Sequence, residues 1–171
     1  MRGTLVAIAV ALVLSACASP EPAPEPENTN PYGGFPVDPP AADEIVLTLN
    51  GEETIELTYS ELQTRASVTY DILEPFVLRE ESFTGVLLEE LAAEAGIASD
   101  ARVETVALNG YQYADTLAAL VDSGAIVAVA RDGEPIPMDE GGPIRLVYPT
   151  DSEYADFLDA WNWSLRTIET E

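Results

Sequence analysis

The longest amphipathic pattern in the chain runs over residues 83–97, FTGVLLEELAAEAGI. Read with helical periodicity, its apolar side chains fall on one face and its glutamates on the other. The apolar positions are Leu87, Leu88, Leu91, Ala92 and Ala95, and the glutamates are Glu89, Glu90 and Glu94. Thr84 can cap the start of a helix, and Gly96 can take the left-handed conformation after its end. The pattern predicts one helix over 83–97 that covers a sheet built from strand-like segments on both sides.

Alternating apolar and polar positions elsewhere predict strands. Residues 45–57 alternate around the turn Asn50–Gly51 and predict a β-hairpin. Thr58 followed by Glu61 predicts a capping box that opens a short helix. Further elements are expected as strands at 65–79, 103–107, 111–113, 125–130, 144–148 and 164–168, and as a short helix at 114–122 ended by Gly124. The fold class that follows is α+β, a single domain of mixed β-sheet with a few short helices.

Residues 1–16 are typical of an export signal, with Arg2 before an apolar run over 5–14 that is too short to span a membrane comfortably. The run ends in Leu14-Ser15-Ala16-Cys17, which resembles the lipobox of bacterial lipoproteins. In that class the signal is cut before the cysteine, which then carries lipid. The resemblance implies lipidation of Cys17 and an extracytoplasmic, lipid-anchored location in the bacterial cell envelope. The alternative is an ordinary secreted protein with a chance cysteine.

The segment after Cys17 has the composition of an extended linker. Residues 17–42 are rich in proline and glutamate, and the folded domain is expected over 43–171. Within the linker, Tyr32-Gly33-Gly34-Phe35 is either a docking segment or part of the linker that lies on the domain. Because Cys17 is the only cysteine, it forms no internal disulfide and supplies no thiolate to the folded domain.

The charge balance excludes several classes of function. The chain has 31 acidic residues against 7 arginines, no lysine and no histidine, for a net charge of −24. Such a surface repels phosphate backbones, so nucleic acid is excluded as a partner. Histidine-based catalytic and metal sites are excluded as well. The acidity suits either a cationic ligand or partner, or solubility in a salty environment, and the paired carboxylates Glu80–Glu81, Glu89–Glu90 and Asp139–Glu140 are interpreted as solvated surface.

Several segments occur together in an order known from one family. They are FTGV and LEELAAEAG within 83–96, NGY at 109–111, AIVA at 125–128, DGEPIP at 132–137, GGPIRLVYP at 141–149, and the closing WNW and IE at 161–163 and 168–169. In order and spacing they resemble the molybdopterin-binding domain of sulfite oxidase-like enzymes over residues 44–169. The resemblance implies the sulfite oxidase-type fold, with molybdopterin as cofactor and oxidoreductase chemistry.

Two positions depart from that family. Its active members bind molybdenum through a cysteine upstream of the TGV segment, whereas residues 65–82 contain no cysteine. Neither Thr69 nor Tyr70 replaces a soft thiolate ligand. Many members have a histidine before the Gly-Gly-Pro corner, where this chain has Glu140, which would repel the phosphate of the pterin. We therefore expect molybdenum catalysis to be lost, with no catalytic residue, metal ligand or cofactor, and keep molybdopterin binding as the alternative.

Three residues are the candidates for any surviving cofactor or ligand contact. Arg145 matches a family position and can face an anion, although it can equally form an ion pair with a carboxylate of the domain. Tyr111 and Tyr148, together with Tyr113 and Tyr154, are expected at turns or strand ends where the family's cofactor cleft opens. An aromatic cleft beside acids suits a flat or cationic ligand, whereas the alternative for these rings is core and rim packing.

Two functions remain open from the sequence. The first is a membrane-anchored, extracytoplasmic lipoprotein whose domain keeps the fold without catalysis and binds a small ligand or an envelope protein. The alternative is a molybdopterin-dependent oxidoreductase, or a subunit of one, that holds its metal without a cysteine. Function depends on the site rather than the fold, and the missing ligands favour the first.

Overall fold

The structure is a computed structural model that describes residues 38–171. The predicted signal at 1–16, the lipidation of Cys17, the 32–35 segment and most of the predicted linker over 17–42 lie outside the described residues. At the end of that linker the backbone N–H of Ser60 donates to the carbonyl of Ala42 at 3.0 Å, so the chain already contacts the domain there. Within 38–171, no helix has the length and apolar character needed to cross a membrane.

The described residues form two five-stranded sheets with short helices between their strands. The strands are β1 Ile45–Asn50, β2 Thr54–Thr58, β3 Val68–Glu74, β4 Arg79–Leu87, β5 Arg102–Ala107, β6 Gln112–Thr116, β7 Ile126–Arg131, β8 Glu134–Pro135, β9 Arg145–Val147 and β10 Leu165–Thr170. The α-helices are α1 Tyr59–Arg65, α2 Leu88–Glu94 and α3 Leu117–Asp122, and single 3₁₀ turns lie at Met138–Glu140 and Leu158–Ala160.

The first sheet has the order β2-β1-β10-β5-β6, in which β10 runs parallel to β1 and antiparallel to β5. The second has the order β3-β4-β7-β8, and β9 also pairs with β7. One hydrophobic cluster joins side chains of both sheets and of all three α-helices in the described part of the chain. The predicted α+β class, one domain of mixed sheet with a few short helices, is confirmed.

Elements that depend on interactions between neighbouring residues lie at the positions predicted from the sequence. β1 and β2 form the predicted antiparallel hairpin. Thr58 caps α1 with both halves of the capping box, and its backbone N–H donates to the Glu61 carboxylate at 2.8 Å. That hydrogen bond lowers the pKa of Glu61. Residues Ile126 to Val129 of β7 are at most 2 % exposed, which confirms a strand buried on both faces.

The helix expected over 83–97 was wrong in its first part. Residues up to Leu87 belong to β4, and α2 begins only at Leu88. Thr84 is therefore not an N-cap, and α2 has no side-chain cap at all. The reason is pairing on both sides, because β4 bonds to β3 and to β7 and the sheet overrides the helical pattern. From Leu88 onward the prediction holds: Leu91 and Ala92 are buried, and Gly96 has a φ of 66°.

Two smaller expectations also needed correction. The strand expected over 65–79 is divided by a turn, because residues 75–78 reverse the chain between β3 and β4, with Leu78 at a φ of 53°. The helix expected over 114–122 begins only at Leu117, since residues 112–116 pair with β5 as β6. There Thr116 caps α3 through its hydroxyl, which accepts from the N–H of Ala119.

Candidate functional site

The Gly141-Gly142-Pro143 corner positions the start of β9. Gly141 has a φ of 90°, and a Cβ there would lie 2.9 Å from the ring of Trp163. A Cβ on Gly142 would lie 2.1 Å from the carbonyl oxygen of Ile136, and the Gly142–Pro143 peptide is cis. The two glycines are thus required by close packing at the corner that precedes Arg145.

Arg145 is fully buried and paired. Its side chain is 0 % exposed, and Nη2 donates to Oε1 of Glu74 at 3.0 Å, a carboxylate that is also 0 % exposed. The second oxygen of Glu74 accepts from the backbone N–H groups of Phe76 and Val77, both at 2.8 Å. A buried carboxylate is tolerated when it is paired and hydrogen-bonded in this way. Of the two roles that the sequence left open for Arg145, the internal ion pair is the one observed.

Aromatic rings surround the guanidinium of Arg145. Its Cζ lies 4.5 Å from the ring centroid of Trp163, 5.3 Å from Phe83, 5.7 Å from Trp161 and 5.9 Å from Phe76. Contacts of this kind add cation–π attraction inside the protein. The side chain is therefore held by a carboxylate and four rings below the surface.

Tyr148 is buried beside this group. It is 0 % exposed, and its hydroxyl donates to the carbonyl of Ala160 at 3.3 Å. Its ring stacks on Tyr154 at 5.2 Å and meets Trp161 edge-on at 5.8 Å. Burial is the main reason why its pKa is raised, and the nearby Tyr154 and Asp115 add to the effect. The observed position is core packing, one of the two roles open for this ring.

Tyr111 lies instead at a surface cleft of about 240 Å³, which we call the aromatic cleft. Its lining consists of Phe76, Tyr111, Trp161 and Trp163 together with Asn109, Leu158 and Asp159. Tyr111 is 41 % exposed, and its hydroxyl donates to the backbone carbonyl of Asp159 at 2.9 Å. Burial raises the pKa of Tyr111, and so does the charge of Asp159. Trp161 and Trp163 connect the cleft with the buried Arg145, whereas Tyr148 does not line it.

Tyr113 and Tyr154 form a separate cluster. Both hydroxyls donate to Oδ2 of Asp115, at 2.8 Å from Tyr113 and 2.5 Å from Tyr154. Partial burial by itself raises the pKa of Asp115, but the hydrogen bonds from Tyr154 and Tyr113 outweigh it, so that the pKa of Asp115 is lowered. Burial and the bond to Asp115 raise the pKa of Tyr154. These rings tie β6 to the loop before β10 and do not line the aromatic cleft.

Glu140 lies in a second, polar cleft of about 400 Å³, which we call the charged cleft. It is lined by Arg79, Glu80, Glu81, Arg131, Asp132 and Glu140. Arg131 bridges Glu140 and Glu81, with Nε 3.9 Å from Glu81 Oε2, and Arg79 donates to the other oxygen of Glu81 at 3.0 Å. The interpretation of Glu81 as solvated surface was wrong, because these two arginines hold its side chain at 4 % exposure. Glu89 and Glu90 are exposed, as expected.

The sequence identified part of the aromatic cleft. Tyr111 was expected at a cleft, and the Trp161-Asn162-Trp163 motif was among the matched segments. Phe76 was missed because it was placed within a strand, and Asp159 because nothing in the pattern separates it from the other acids. The turn after β3 was the available signal for Phe76, since Pro75 interrupts the strand pattern there.

Comparison with known proteins supports the resemblance. Residues 76–155 match the family model described as the oxidoreductase molybdopterin binding domain. Among solved structures, the sulfane dehydrogenase SoxCD from Paracoccus pantotrophus superimposes with a TM-score of 0.59 at 18 % identity, over 78 % of this chain and 39 % of that one. The chain thus spans well under half of the SoxCD chain. No curated protein matches it. The described residues therefore carry a domain similar to the oxidoreductase molybdopterin-binding domain, with the sulfite oxidase-like fold.

Proposed function

We propose that this domain is a non-catalytic relative of the molybdopterin-binding domain, which keeps the fold and binds a small ligand or an envelope protein instead of the metal cofactor. The buried ion pair between Arg145 and Glu74 carries the proposal. Arg145 matches a position of the family's motif, but inside this protein its guanidinium pairs with the Glu74 carboxylate. Four aromatic rings surround the guanidinium.

The donor set does not fit molybdenum. Residues 38–171 contain neither cysteine nor histidine, and Cys17 lies in the predicted anchor. Across the same residues, no group of three or more Asp and Glu side chains is arranged to hold a metal ion. The active members of the family that this domain resembles hold molybdenum through a cysteine thiolate, and residues 38–171 supply no such soft ligand.

The charges also do not fit a pterin phosphate. Glu140 takes the position of the family's histidine and is paired with Arg131. The arginines of the charged cleft, Arg79 and Arg131, both pair with Glu81. With a net charge of −24 on the whole chain, an approaching phosphate meets repulsion that these paired arginines do not offset.

The location proposed for this domain rests on the sequence. The lipobox-like Leu14-Ser15-Ala16-Cys17 supports a lipid anchor that holds an acidic domain at the bacterial cell envelope, on its extracytoplasmic side. Replacing Cys17 with serine is expected to move the protein from the membrane fraction to the soluble fraction of the producing bacterium. Unchanged sedimentation with membranes would contradict the anchor.

A second candidate is supported by the family match over residues 76–155. In that case the domain would be a molybdopterin-dependent oxidoreductase, or a subunit of one, with the metal held by another chain or by ligands other than cysteine. The SoxCD chain is a sulfane dehydrogenase, and this chain covers 39 % of it. The rest of the SoxCD chain has no counterpart in the matched region.

Metal and pterin analysis separates the two candidates. The protein would be purified from a bacterium that makes the cofactor, and molybdenum and pterin measured per chain by mass spectrometry. A cysteine-containing sulfite oxidase-type enzyme from the same host serves as the control for cofactor loading. We expect both contents to be near zero while the control is loaded. About one molybdenum and one pterin per chain would overturn the proposal and establish the second candidate.

A further inference from the structure

We propose that the aromatic cleft is a binding site for a small organic cation, with an ammonium or guanidinium group seated against its rings. The inference rests on the proposed function, because it names the class of ligand that the binding domain takes. Two observations carry it: the rings that form the walls, and a carboxylate among them that forms no ion pair with any residue of the described part of the chain.

The walls offer aromatic surface to a ligand. Phe76 and Tyr111 are each 41 % exposed, so both rings present part of their surface to solvent at the cleft. The bond from the Tyr111 hydroxyl to the carbonyl of Asp159 holds that ring in place across 48 residues of sequence. Phe76 packs edge-on to Trp163, with centroids 4.6 Å apart. Rings held in this way attract a cation without first losing side-chain freedom.

The charge in the cleft is negative. Asp159 lines it and is exposed, and within residues 38–171 its carboxylate forms no ion pair. No arginine of these residues lines the cleft. Arg145 lies behind Trp163, but Glu74 at 3.0 Å compensates its charge. The net charge of −24 adds a long-range attraction for cations and raises their local concentration.

The volume limits the size of the ligand. About 240 Å³ is below the ~300–1,000 Å³ of clefts that bury a drug-sized molecule. It accommodates one cationic head group, such as that of choline or of an arginine ester. A second copy of this chain is disfavoured as the occupant, since two strongly acidic domains repel each other.

Tryptophan fluorescence provides a direct test. Both tryptophans of the chain, Trp161 and Trp163, line the cleft, so the whole tryptophan signal originates there. The purified full chain would be titrated with choline chloride and with arginine methyl ester, at constant ionic strength. The control ligand is the neutral isostere of choline, in which carbon replaces nitrogen. We expect saturable binding of the cations and binding at least about fivefold weaker for the isostere.

Matched variants identify the site. Asp159→Asn removes one charge and keeps the shape, and we expect it to weaken choline binding about fivefold. Asp156→Asn removes another exposed acid of the same loop, one that does not line the cleft, and we expect no change beyond about 1.5-fold. Tyr111→Leu removes a ring and is expected to weaken binding about threefold, whereas Tyr111→Phe keeps the ring but loses the hydroxyl bond to Asp159 and is expected to weaken binding less than Tyr111→Leu.

Three results would overturn the inference: no saturable response to either cation, equal binding of the isostere, or equal losses in Asp159→Asn and Asp156→Asn. Metal analysis of the same preparation keeps the two proposals apart. A molybdenum-free protein that does not bind choline refutes the cation site and leaves the proposed function standing. A molybdenum-loaded protein refutes the proposed function whatever the titration gives.

Discussion

At the scale of single residues, Arg145 matches a position of the family's motif, but its side chain is buried inside the protein. Its partner Glu74 lies 71 positions earlier in the chain and is one of 31 acidic residues. The sequence therefore predicted an ion pair as one possible role of Arg145 but could not identify which carboxylate is the partner. The structure supplies the partner and the surrounding rings. A side chain that is paired and buried in this way is not accessible to a ligand, and loss of its partner would leave a buried charge without compensation.

Removing one member of this pair should be far more costly than removing both. Arg145→Met leaves Glu74 buried without its cation, and we expect the free energy of unfolding to fall by about 3–5 kcal/mol. The double variant Glu74→Gln with Arg145→Met removes both charges, and we expect it to recover at least about half of that loss. Urea denaturation followed by circular dichroism measures both changes.

The exposed pair between Arg65 and Glu94 provides the control. Its atoms lie 2.6 Å apart but the side chains are 37 % and 47 % exposed, so Arg65→Met should cost less than about 1 kcal/mol. If Arg145→Met costs no more than Arg65→Met, burial of the Arg145–Glu74 pair has no special weight in the stability of the fold.

At the scale of elements, β4 explains both what the sequence predicted and what it did not. The β1–β2 hairpin and the Thr58 capping box depend on neighbouring residues, and both were predicted. The first residues of the expected helix instead pair with β3 and with β7, whose residues lie far away in the sequence. Periodicity over 83–97 contains no information about such partners, so the change from strand to helix at Leu88 could not be placed.

Gly85 is required by the contact between β4 and β7. A Cβ there would lie 2.3 Å from the carbonyl oxygen of Val127 and 2.7 Å from Cα of Ala128, where the pairing of the two strands shifts register. Gly85→Ala should therefore destabilise the domain by about 3 kcal/mol or more, because rigid backbone must move. Thermal and urea denaturation measure the loss.

Gly133→Ala is the matched comparison for that substitution. Gly133 has a φ of 82°, but a Cβ at this position would meet no atom within 4 Å, so only the conformational cost of about 1–2 kcal/mol applies. Equal losses in the two variants would show that steric contact with β7 is not what requires glycine at position 85.

At the scale of the whole molecule, the excess of acids dominates the electrostatics. With 31 acidic and 7 basic residues, most carboxylates have no arginine available. Their mutual repulsion opposes the compact state more than the expanded one. Salt shortens the range of this repulsion to about 8 Å at physiological ionic strength.

Stability should therefore rise with salt. Between ~20 mM and ~500 mM sodium chloride at neutral pH, we expect the free energy of unfolding to increase by about 1 kcal/mol or more, measured by urea denaturation at each concentration. The gain should shrink near pH ~4, where carboxylates begin to take up protons. A decrease with salt would mean that attraction in pairs such as Arg102–Glu171 outweighs the repulsion.

The position of β10 also dictates when the domain can form. This strand enters the first sheet between β1 and β5, and Thr167 in it pairs with Thr48 near the other end of the described chain. While the ribosome is still making the chain, β1–β2 and β5–β6 can form only as two separate hairpins, because β10, the strand that joins them, has not yet been made. Closing so distant a pairing is slow. A newly made chain therefore stays open until residues 165–170 emerge, and during that interval its unpaired strand edges are accessible to chaperones and proteases.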